Sequence, residues 1–173
     1  MKRNLWTFGL MLGALLCGNM IYMVNLCYSN PGFKSNDVVG YAIMVVVFSL
    51  IFFGIRNYRN RELGGQITFG KAFKMGALIA LLASTAYVVV WLFYYYLFVP
   101  DYLDKYIPHV LKETAPADLP AKTEQMNNFR QMYRNPLLVV LITYSEVLPV
   151  GLVVALISAL ILKRKKGKVT AAA

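Results

Sequence analysis

One ionisable acid stands inside a long apolar run near the C-terminal end, and a proline follows it three residues later. The stretch is Tyr144-Ser145-Glu146-Val147-Leu148-Pro149-Val150-Gly151, within the run Leu137 to Leu162. Pro149 has no N–H, so the Ser145 carbonyl loses its helical partner and the helix is expected to bend there. A freed carbonyl beside a carboxyl is the kind of pair that holds a cation or a proton in transporters. Glu146 lies ~13 Å along its helix from the outer start by the helical rise. An ionised group is costly at such depth, and desolvation favours the protonated carboxyl. Asn19, on the first apolar run, matches it in depth, so a Glu146–Asn19 hydrogen bond is geometrically allowed, with Tyr22 or Tyr87 as rivals. The candidate intramembrane polar site is therefore Glu146, Asn19, Pro149 and Ser145. Three roles stay open for it: a satisfied structural carboxyl, an ion or proton site, or a carboxylate close to the headgroups.

Other chemistry is sparse. No Ser/His/acid set, paired intramembrane carboxylate or metal cluster can be assembled from the apolar core, so no enzymatic activity and no cofactor or metal is expected. The single histidine, His109, has no neighbouring ligand pattern. Cys17 and Cys27 sit on one helix with Cα atoms ~15 Å apart, too far for a disulfide, and read as free thiols. Gly70-Lys71 lacks the glycine and Ser/Thr spacing of a phosphate loop. A net charge of +10 could suggest nucleic acid, but the basic residues flank apolar runs instead of forming one patch. No nucleic-acid partner is expected.

These groups must be positioned by membrane helices. The composition is 58% hydrophobic, leaving no polar shell for a soluble domain. Apolar runs predict spans at about 5–28, 38–55, 75–98 and 137–162, each long enough for a ~30 Å hydrocarbon core or nearly so. The expected fold is all-α: a single membrane domain over 1–173, four transmembrane helices in a bundle. The first run could be a signal peptide after Lys2 and Arg3, but it continues well past Cys17, and Leu16 is a poor cleavage neighbour, which favours a spanning helix. Ser29-Asn30-Pro31-Gly32 reads as a turn. Gly64-Gly65 reads as another, with Thr68 as the N-cap of the third span. Trp91, Tyr94, Tyr95 and Tyr96 read as an aromatic belt at the far interface.

Residues 99–136 form the one sizeable extramembrane segment. Tyr102, Leu103, Tyr106, Ile107, Val110 and Leu111 make one amphipathic pattern, interrupted by Pro108. Met126, Phe129, Met132 and Tyr133 make a second. They predict two short helices over the end of the bundle, joined by a turn around Pro116, or else a partner-binding surface. Twelve of the 18 Lys and Arg residues fall at the N-terminus, in 56–74 and in the basic tail 163–173. The positive-inside rule then puts both termini in the cytoplasm and 99–136 in the periplasm. Anionic lipid headgroups at the cytoplasmic face are the expected partners of the flanking basic residues.

Two small-residue stripes suit close helix contact. Gly9 and Gly13 form one, with Cys17 a turn further. Gly151, Ala155 and Ala159 form the other, some 140° around the helix from Glu146 at ~100° per residue.

Several stretches carry a resemblance to a known family. They are Phe53-Gly54-Ile55-Arg56-Asn57-Tyr58-Arg59, then Gly64-Gly65-Gln66-Ile67-Thr68-Phe69-Gly70-Lys71-Ala72-Phe73-Lys74-Met75-Gly76. Val99-Pro100-Asp101, Pro149-Val150-Gly151-Leu152 and Ile157-Ser158-Ala159-Leu160-Ile161-Leu162-Lys163 complete the set. Together they resemble the domain-of-unknown-function 4199 family, four-helix inner-membrane proteins found mainly in Bacteroidetes. The resemblance implies architecture and a bacterial inner-membrane location only, and it offers no family active site to carry over. Two function readings follow: a non-enzymatic envelope assembly or scaffold component, binding a membrane-protein partner or itself, or a small proton- or cation-coupled carrier working through Glu146 beside the Pro149 kink.

Overall fold

The computed structural model describes residues 1–30 and 37–164. The turn expected at Pro31-Gly32 and the tail lysines Lys165, Lys166 and Lys168 lie outside the described residues. Within these residues the chain forms α1 (Lys2–Ser29), α2 (Asp37–Phe48), α3 (Leu50–Glu62), α4 (Phe69–Leu97), α5 (Tyr102–Glu113), α6 (Leu119–Met132) and α7 (Pro136–Leu162). Four stretches are long and apolar enough to cross a bilayer: α1, Val38–Glu62 (α2 with α3), α4 and α7. The protein is a four-helix membrane bundle with two short helices between its third and fourth spans.

The helices overrun the predicted spans. The second continues to Glu62 because Arg56, Arg59 and Arg61 end the apolar run without ending the helix. It stops where Gly64 and Gly65 take φ of 62° and 83°, left-handed values that suit glycine. The third begins at Phe69, with the Thr68 side chain accepting from the Lys71 N–H. The fourth begins at Pro136, where the Asn135 side chain accepts from the Leu137 N–H at 3.0 Å. Within the second span Ser49 separates α2 from α3. Its Oγ donates back to the Val46 carbonyl at 2.6 Å, a local bond that competes with the helix ladder.

α4 is the central element, packed along α1 on one side and α7 on the other. Small residues set both approaches. A Cβ on Gly9 would stand 2.5 Å from a Leu82 methyl, and one on Gly13 would stand 2.9 Å from the Ala86 Cβ. On the other side a Cβ on Gly151 would stand 2.8 Å from the Ala80 Cβ, and one on Gly76 would stand 2.9 Å from the Ala155 Cβ. Ala155 and Ala159 are fully buried. The stripes of α1 and α7 thus face α4 from opposite sides. In lipid, where apolar side chains gain little by leaving the solvent, such backbone proximity is the main source of van der Waals cohesion.

α5 and α6 close one end. Leu103, Ile107, Met126 and Tyr133 are buried against Trp91 and Tyr95 at the top of α4 and Val99 just beyond it. The Tyr95 and Tyr133 rings meet edge-on at 5.2 Å, and Trp91 and Tyr102 at 5.4 Å. The belt expected at this end is therefore divided. Trp91 and Tyr95 turn inward as a platform for α5 and α6, because those helices supply aromatic partners that lipid cannot. Tyr96 remains exposed and Tyr94 half-buried. An Arg130–Asp104 ion pair at 2.8 Å joins α6 to α5, and the Tyr28 hydroxyl donates to Asp101 at 2.6 Å, tying the end of α1 to the start of α5.

Candidate functional site

α7 presents Thr143, Val147 and Gly151 inward, all buried. Glu146 precedes Val147 by one position, so it points about 100° away from that face. It is exposed on the wall of a cavity of about 480 Å³, where burial inside the bundle was expected. α2 contributes Gly40, Tyr41 and Met44 to this wall, and α5 contributes Tyr106, Val110 and Glu113. Lys122, Gln125, Met126 and Phe129 of α6 complete it with Thr114 of the intervening turn. The result is an amphipathic cup: two carboxyl groups, one ammonium, one amide and the hydroxyls of Tyr41, Tyr106 and Thr114 on a lining otherwise made of thioethers, rings and aliphatic groups.

The other residues of the predicted site are placed elsewhere. Asn19 is half-buried on α1, which adds no residue to the cavity. α4 lies between α1 and α7, so the two residues agree in depth and differ in azimuth. Among the described residues no hydrogen bond joins Asn19 to Glu146. Ser145 and Pro149 are exposed and do not line the cavity, and the Ser145 hydroxyl donates back to the Ile142 carbonyl at 2.7 Å. Burial, with a smaller electrostatic contribution from Glu146, pushes the Tyr133 hydroxyl above its usual range. No group of three His, Cys, Asp or Glu side chains able to hold a metal occurs among the described residues.

The opposite end of the bundle carries a polar network that no pattern reading marked. The Asn4 side chain, 6% exposed, donates to the Gly54 carbonyl at 2.7 Å. The Asn57 side chain donates to the Asn4 side-chain oxygen, Oδ1, at 2.7 Å. Arg59, 9% exposed, donates from Nε to Asn60 at 2.9 Å and from Nη1 to the Leu162 carbonyl at 3.3 Å. The Arg164 N–H donates to the Ile67 carbonyl at 2.9 Å, and the N-terminal ammonium pairs with Glu62. Every helix end on this side is thereby held by another. A hint lay in the sequence: Asn4 stands directly after Lys2 and Arg3 at the start of α1, and Gly54 and Asn57 share a turn with Arg56.

The Phe53–Arg59 and Gly64–Gly76 stretches both fall on this network and its turn. The model of a protein family described as a protein of unknown function (DUF4199) matches residues 6–164. The chain belongs to this family. The match runs from the second turn of α1 to the residue paired with Ile67, so the shared unit is the whole bundle with its α5–α6 cap. No curated protein and no solved structure matches the chain.

Proposed function

We propose that this DUF4199 member is a non-enzymatic component of a bacterial inner-membrane assembly, with both termini cytoplasmic and the α5–α6 cap periplasmic. The observation that carries the reading is the dead end of the Glu146 cavity. On α2 the cavity-lining row is Gly40, Tyr41 and Met44. One turn further Phe48 is fully buried, and its ring would lie 2.9 Å from a Cβ on Gly151. Ile51, Ala80 and Ala155 continue this dry seam, all fully buried. A cup over a close-packed seam suits holding a partner or ligand better than passing a solute, and rigid packing of this density does not open by small shifts. The charge bias towards the α3–α4 end supports the orientation.

The carrier reading keeps one supporting observation, the ionisable Glu146 at membrane depth beside Pro149. Affinity purification of the full chain in mild detergent separates the two. A stoichiometric membrane-protein partner or a stable homo-oligomer is expected. Purification as a lone chain, with Glu146-dependent proton or cation flux in proteoliposomes, would reverse the assignment. Orientation is read in a background free of Cys17 and Cys27. A cysteine at Asn127 should react with an impermeant thiol reagent in intact cells, and one at Lys71 should not.

A further inference from the structure

Beside the Asn4–Asn57 network, a groove of about 460 Å³ runs between α1 and α3. It is lined by Phe8 of α1 and by Phe53, Arg56, Asn57, Asn60 and Arg61 of α3. The α3 residues fall at i, i+3, i+4, i+7 and i+8, one continuous stripe on a helix. From Phe53 to Arg61 that stripe rises ~12 Å. Each headgroup layer is ~5–7 Å thick outside the ~30 Å hydrocarbon core. The rings therefore belong to the acyl-chain side and the guanidinium groups to the headgroup side.

We infer that this groove holds the phosphate of an anionic phospholipid. Among the described residues neither the Arg56 nor the Arg61 side chain makes a hydrogen bond or an ion pair. The nearest acid in sequence, Glu62, is taken by the N-terminal ammonium. The lining holds two guanidinium groups and no carboxylate, and a guanidinium fork matches two phosphate oxygens at once. The amides are fixed in advance. Asn57 spends one N–H on Asn4, and the Asn60 oxygen accepts from Arg59, which leaves amide N–H groups to face an anion. Arg59 itself is turned away onto Leu162, so it does not fill the groove. A soluble phosphate would use only the polar half. Phe8 and the half-exposed Phe53 ring give acyl chains a wall, which selects the lipid. The inference rests on α2 and α3 spanning the membrane. It does not depend on which leaflet faces the cytoplasm, nor on the assembly role proposed above.

The test is electron spin resonance of spin-labelled lipids around the full chain in bilayers. Phosphatidylglycerol should be retained more strongly than phosphatidylcholine. R56Q/R61Q should lose that preference by about ten-fold per arginine, as loss of a charge-assisted hydrogen bond to phosphate would give. K71Q/K74Q removes the same charge from the same end but off the groove, and should keep the preference. Equal losses in the two double variants would reduce the effect to diffuse surface charge and overturn the site. Equal retention of both lipids by the wild-type chain would also overturn it. Competition by millimolar glycerol phosphate would mark a soluble phosphate as the occupant and overturn the lipid assignment. If R56Q/R61Q melts early, R56Q and R61Q singly carry the same readout.

Discussion

Arg59 Nη1 lies 3.3 Å from the carbonyl oxygen of Leu162, the last residue of α7, and its Nε holds Asn60 at 2.9 Å. One buried guanidinium thus joins the end of the last span to the second. Hydrogen bonds from a charged donor are worth about 1.5–3 kcal/mol each when their loss strands a buried partner. R59M should cost about 2 kcal/mol in a thermal melt of the purified chain, and should speed hydrogen exchange over Ala159–Leu162. R61M, at an exposed position on the same helix, should stay within about 0.5 kcal/mol in detergent. An unchanged melt for R59M would mean that α7 is held by packing alone.

The α4 seam has no room for added volume. A Cβ on Gly76 meets the Ala155 Cβ at 2.9 Å and Ile55 at 3.0 Å, whereas one on Gly18 meets nothing within 4 Å. Gly76→Leu should destabilise the bundle by about 1–3 kcal/mol or more, as overpacking does. Gly18→Leu should be close to neutral. Equal melting of the two variants in the same detergent would show that α4 and α7 are separable.

Glu146 and Val147 are neighbours in sequence and opposites in exposure. Glu146 lines the cavity, and Val147 is fully buried. In a chain lacking Cys17 and Cys27, E146C should react with a charged methanethiosulfonate reagent, and V147C should not react. Labelling of neither would mean that the cavity is closed to water in the bilayer.

Tyr102 and Tyr133 lie outside the spans, and burial raises both hydroxyls above the ordinary value of 10.0. The unfolded chain ionises these groups near that value while the folded chain keeps them neutral. Above it the unfolded state binds fewer protons, so stability falls as pH rises and is unaffected at neutral pH. An absorbance titration should show exposed tyrosines ionising first. The remainder should ionise only as the α5–α6 cap opens, and Y133F should remove part of the alkaline loss of stability. A single titration step near pH 10 would indicate an open cap.

Local patterns encoded most of the architecture. Four apolar runs, two amphipathic repeats around Pro116 and the small-residue stripes are all written in spacing along single helices, and each is visible without neighbours. Azimuth is not. Depth can be counted along a helix, which is why Asn19 and Glu146 appeared to be partners. The insertion of α4 between α1 and α7 is a property of the packed bundle. For the same reason Trp91 and Tyr95 looked like lipid anchors until α5 and α6 covered them. The polar network was hidden by separation in sequence: Asn57 reaches Asn4 across 53 positions, and Arg59 reaches Leu162 across 103. No periodicity records a bond between two chain segments so far apart.

The placement of α4 between α1 and α7 also has a meaning in time. α1 is made before α4, so the Gly9 and Gly13 seam can form as soon as α4 enters the bilayer. α7 is made last, and until it arrives the Gly76 and Ala80 face of α4 is covered only from the side of Ile51 and Ile55 of α3, leaving the rest to lipid, where small residues make weak contacts. Closure of the bundle is consequently a two-stage event, three early spans awaiting their fourth. A translating chain paused between Leu97 and Pro136 would present that bare seam to any other helix in the membrane.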